Sequence, residues 1–221
     1  MYSVFSISKR WYDPVSSLTR AILLILAVLG IESFAFLLKN NSLPFSPIYF
    51  LGLLRLTDIS LLLIWGPWSL RVDDISLRIK ESLTEAVSFA LASIVFLGFW
   101  KIIFGSPLLK IDDKIFHQNG LIVAAFYITS CLLSPMAEEL IFRGIVYRKM
   151  RNEWNMWICI FIVSLFFALI HLFFNNKIFI PFLGSLIFCL GYEKTKFILT
   201  PILLHIIGNL IIFLSPFLSF L

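Results

Sequence analysis

Charge is what this sequence has least of. Only 14% of its 221 residues are Asp, Glu, Lys or Arg, where a soluble domain carries about a quarter. The shortage excludes an ordinary water-soluble globule. Sixty per cent of the chain is hydrophobic, with 24 Phe and six Trp, and one globule cannot bury that much apolar surface. Cysteine is scarce as well: Cys131, Cys159 and Cys189 lie inside apolar runs, in neither metal-ligand nor CxxC spacing, and read as small packing residues. No HExxH occurs, and no repeats, low-complexity tracts or long linkers interrupt the chain. The net charge of +5 does not point to nucleic acid, because the basic residues fall mostly between apolar runs, as topology signals do.

Long apolar runs are what the sequence has instead. A lipid-spanning helix needs roughly 20 predominantly apolar residues, and seven segments qualify or nearly so: about 18–38, 48–69, 83–104, 119–137, 154–174, 178–192 and 197–220. Backbone in lipid must satisfy its own hydrogen bonds, so the expected fold class is all-α, a polytopic transmembrane bundle of about seven (six to eight) helices. The polar lead before the first run carries no small-residue cleavage site and predicts an uncleaved signal anchor. Twelve Lys and Arg, from Lys9 to Lys196, fall in one set of connections and five, among them Lys110 and Lys177, in the other. That asymmetry predicts a cytoplasmic N-terminus.

Ionisable groups at membrane depth cost several kcal/mol unless paired or hydrated, so each is a candidate for function. Three clusters qualify: Glu138, Glu139 and Arg143; Phe167 and His171; His205 and Asn209. Glu139 and Arg143 are i and i+4, spaced to pair along one helix face. Glu138 is turned by about 100° from Glu139 and faces elsewhere, where a carboxylate in an apolar cavity suits proton transfer. The blander reading makes all three markers of a helix end. A lone membrane histidine such as His171 is often only a helix–helix hydrogen bonder. His205 and Asn209 share one stripe of the last helix. Arg55 and Asp58, three residues apart, can neutralise each other as a structural pair, and His117 reads as a solvated connection residue. Helix rise places Glu138 ~21 Å, His171 ~28 Å and His205 ~14 Å from the polar turns that precede or follow them, so tilting is needed for the three to meet.

Together these residues resemble the CPBP family of membrane proteases, which includes the type II CAAX prenyl endopeptidases and bacteriocin-processing or immunity proteins. Its EExxxR pattern matches Glu138, Glu139 and Arg143, its FxxxH matches Phe167 and His171, and its HxxxN matches His205 and Asn209. The segment from Phe182 and Gly184 through Gly191, Thr195 and Pro201 is similar too. The resemblance covers about 119–215 and implies a catalytic membrane core at 119–221, with accessory helices at 1–118. It further implies a metal-free, glutamate-dependent intramembrane endopeptidase. Glu138 and His171 would activate water, His205 and Asn209 would stabilise the oxyanion, and Glu139 and Arg143 would support the helix. The implied partners are the lipid bilayer and a membrane-associated peptide, with no nucleic acid, and the expected location is a bacterial inner membrane. Three readings compete: zinc held by Glu138, His171 and His205, a non-catalytic immunity or peptide-binding protein of the same fold, and a proton-coupled transporter, since intramembrane Glu and His also build proton relays.

Overall fold

The computed structural model describes residues 5–6, 19, 22–28, 30, 47–66, 69–70, 75–104, 117–172 and 178–214. The architecture is helical. Residues 22–28 are helical within the first apolar run, whose remainder lies largely outside the described residues. Among the described residues six rods follow: α1 (Pro47–Trp65), α2 (Ile75–Phe104), α3 (Gly120–Arg151), α4 (Met156–Leu172), α5 (Phe179–Thr195) and α6 (Leu199–Leu214). The strand pairing among the described residues is a two-residue antiparallel ladder, β1 (Phe5–Ser6) against β2 (Ser69–Leu70), in register Phe5 to Leu70. Of the described helices α1, α2 and α3 are long and apolar enough to cross a membrane, and α4 and α6 are apolar but shorter. Large apolar side chains lie outward along them, Ile102 being 82% exposed and Val95 70%. Water would not tolerate so continuous a surface, and lipid covers it. The protein is an integral membrane protein.

Helix α3 departs from the expected boundaries. The sequence predicts a span ending near residue 137, at the charged cluster; the helix instead continues, 32 residues in all, to Arg151. Charge did not end it, because Glu139 and Arg143 neutralise each other inside the protein. Its start is capped by Asn119, whose side-chain oxygen accepts the Leu121 amide proton at 2.9 Å. Two wide π turns interrupt it, Ile128–Leu133 and Leu140–Tyr147, and between them lies the short α segment Ser134–Glu139 that carries both carboxylates. Such π segments are frequent at functional sites.

The other rods pack around this helix. α4, α5 and α6 form the wall opposite the carboxylates, α1 lies against the first π turn, and α2 against α6. Close approach is built in at Gly191, where an added Cβ would sit 2.6 Å from Leu204 Cδ1. α5 ends at Lys196, in the left-handed region with φ 54°, whose amide donates to the Tyr192 carbonyl at 2.7 Å.

Candidate active site

Five of the six residues singled out by the three sequence patterns for catalysis or support converge where α3, α4 and α6 meet. Glu138 Oε2 lies 4.0 Å from His171 Nε2 and 3.9 Å from His205 Nε2. That oxygen is buried and makes no hydrogen bond among the described residues. The Glu138 side chain is 22% exposed, His171 32% and His205 6%, so the site is open on the His171 side and closed behind His205.

Hydrogen bonding fixes both imidazoles. His171 Nδ1 faces the Phe167 carbonyl at 2.8 Å; a carbonyl only accepts, so Nδ1 carries the proton and Nε2 of the neutral ring a lone pair. His205 Nδ1 lies 2.9 Å from Glu139 Oε1, and an ionised carboxylate imposes the same tautomer. Both lone pairs therefore face a carboxylate oxygen. Three acceptor atoms thus lie together, both ring nitrogens within 4.0 Å of the carboxylate oxygen.

Glu139 and Arg143 do more than mark a helix end. Arg143, fully buried, donates from Nη1 to Glu139 Oε1 at 2.8 Å and from Nη2 to the Ser185 carbonyl at 2.9 Å and the Ser185 hydroxyl. Its guanidinium lies over the rings of Phe167 and Phe188, 5.2 and 5.5 Å from their centroids. Glu139 Oε1 thus accepts from Arg143 and holds His205 as well. Phe188 stacks on His205 with ring centroids 4.7 Å apart, and Phe167 touches His171, His205 and Phe142. Phe167 was flagged by its spacing to His171. Ser185 and Phe188 carried no signal of their own beyond lying within the segment 182–201 that is similar to the CPBP family.

Asn209 is placed differently. Its Nδ2 donates to the Ser130 carbonyl in the first π turn at 2.8 Å, one turn along α6 from His205. Away from the cluster, His117 is exposed, and Arg55 pairs with buried Asp58 at 3.1 Å on α1. The three cysteines are buried and free.

With the site described, its relatives can be placed. Residues 120–211 match the family described as Type II CAAX prenyl endopeptidase Rce1-like. This stretch is similar to the Rce1-like family. All seven residues of the three sequence patterns, and Ser185 and Phe188 with them, fall inside it. An uncharacterised 24.3 kDa protein of Escherichia coli is 34% identical over 82 residues, covering 35% of this chain and 38% of that protein. The matched stretch therefore spans well under half the length of that relative. No solved structure gives a significant match. The Rce1-like region begins at the start of α3 and ends within α6, so α1 and α2 lie outside it.

Proposed function

We propose that the protein is an intramembrane endopeptidase that hydrolyses a peptide bond of a membrane-associated peptide with water activated by Glu138. The observation that carries this reading is the unbonded Glu138 Oε2 facing two imidazole Nε2 atoms at 3.9–4.0 Å. Those gaps are too long for direct hydrogen bonds, while one water making bonds of about 2.8 Å reaches two acceptors about 4 Å apart. A water donating to Glu138 and His171 keeps an oxygen lone pair free to attack. Glu138 takes one proton as the oxygen joins the carbonyl carbon, and that proton passes to the leaving nitrogen as the C–N bond breaks. The Nε2 lone pair of His205 first takes up a proton from solvent, and the resulting N–H donates to the oxyanion with its charge balanced by Glu139, while the second amide proton of Asn209 completes the donor pair. Such donors contribute roughly 2.7–4 kcal/mol each.

Zinc fits these residues less well. Bonds of about 2.0–2.1 Å in tetrahedral geometry put ligand atoms about 3.4 Å apart, closer than either gap at Glu138. On this reading the substrate is a peptide held in or against the bilayer, and the excess of basic residues in one set of connections supports a cytoplasmic N-terminus. The non-catalytic reading has no observation of its own in its favour. The test is a library of lipid-anchored peptides reconstituted with the protein, before and after prolonged treatment with EDTA and a membrane-permeant zinc chelator. Cleavage that survives chelation is expected. Peptides bound but never cut would leave a binding protein, and activity restored only by zinc would give the site to the metal.

A further inference from the structure

A proline on α3 accounts for where Asn209 points. In the first π turn the Ser134 amide donates to the Thr129 carbonyl, five residues back. An α-helical register would have sent that proton to Ser130. The next donor in the π register, five residues beyond Ser130, is residue 135, and residue 135 is proline, which has no amide proton. The Ser130 carbonyl is thereby left without its ordinary helical partner. In a protein interior or in lipid an unpaired carbonyl is costly, and such freed groups are re-satisfied from neighbouring helices. Here the partner is Asn209 Nδ2, at 2.8 Å.

We propose that Pro135 is a positioning residue for Asn209: by withholding an amide proton from the π turn, it leaves the Ser130 carbonyl to anchor the Asn209 amide beside the catalytic cluster. This rests on the reading of Asn209 as an oxyanion donor. An amide nitrogen has two protons, and anchoring one fixes the direction of the other, which is what a preorganised donor requires. Pro135 is itself fully buried, only three residues before Glu138, so the same short segment delivers the base and orients the donor. A substituent that restores the proton lets the backbone satisfy Ser130 and frees the Asn209 side chain to turn.

The experiment compares the wild type, Pro135→Ala, Asn209→Ala and the double variant in proteoliposomes, by single-turnover cleavage and by substrate affinity. Pro135→Ala is expected to slow cleavage by roughly 10- to 100-fold, the range typical of outer-shell supports, with affinity within about twofold. Because Pro135 acts through Asn209, the double variant is expected to be no slower than Asn209→Ala alone. Wild-type rates in Pro135→Ala, or losses that multiply in the double variant, would overturn the proposal. If Pro135→Ala fails to fold, solid-state NMR of the intact protein, labelled with 15N in Asn side chains and 13C in Ser carbonyls, decides instead. A close contact that disappears in Asn209→Ala is expected, and its absence from the wild type contradicts the anchoring. That contact needs no turnover, so it stands or falls separately from the endopeptidase reading.

Discussion

Glu138 and Glu139 are sequence neighbours in opposite circumstances. Glu139 is fully buried, and one of its oxygens accepts from both Arg143 and His205; Glu138 is partly exposed with a free buried oxygen. The difference was legible from helical spacing, since only Glu139 lies one turn from Arg143 on one face. What spacing could not show is that Glu139 also holds His205, 66 residues later. Glu139→Gln is therefore expected to do two kinds of damage. It leaves a buried guanidinium without its counter-charge, which costs roughly 3–5 kcal/mol, and it loosens the His205 tautomer. Folded yield and residual cleavage measured on the same preparation should both fall; a well-folded, fully active variant would contradict the relay. Ser185 and Phe188 stayed hidden because serine and phenylalanine are ordinary in membrane helices, whereas buried Glu, Arg and His are expensive and announce themselves.

At the scale of elements, α3 is where sequence reading and structure part. Apolar runs locate its first half and set the end of the span near residue 137. The helix instead continues to Arg151, because Glu139 and Arg143 are paired inside the protein. Neither π turn is foreseen: Pro135 stands unread beside the first, and nothing in Leu140–Tyr147 announces the second. At its end α3 is tied to α5 by Glu193, which lies one residue past the sixth apolar run. Tyr147 and Arg151 both donate to its Oε1, at 2.7 and 2.8 Å, and Lys196 to its Oε2. Burial pushes the Glu193 carboxyl up, but hydrogen bonds from Lys196, Arg151 and Tyr147 outweigh it and hold the group below its ordinary value. A depressed carboxyl stabilises the fold above the unfolded value of about 4.3, and that stability is lost as pH falls through the lower folded value. Unfolding of the wild type and Glu193→Gln in detergent should show a wild-type advantage at pH 7 that shrinks by pH 3. An advantage equal at both would mean that the charge of Glu193 contributes nothing.

At the scale of the whole molecule, the Rce1-like region is not packed as a separate body. α2 lies outside it, yet the Ser82 hydroxyl meets Thr200 at 2.7 Å, Thr200 meets Thr195 at 2.7 Å, and Arg78 donates to the Thr195 carbonyl at 2.8 Å. These bonds steady the start of α6 five residues before His205, and Phe89 of α2 lies against Gly208, one residue before Asn209. The sequence patterns stop short of this because a serine at position 82 and a threonine at 200 match no motif, and their pairing spans 118 residues. The whole bundle thus delivers one carboxylate oxygen to two imidazoles, and the account rests on what that oxygen does. The measurement that tests it most directly is single-turnover cleavage of a reconstituted peptide by the wild type and by Glu138→Gln, with thermal unfolding of both. Glutamine nearly keeps the shape and removes the base, so the account predicts an equally stable protein with no measurable cleavage; turnover at the wild-type rate in folded Glu138→Gln would contradict it.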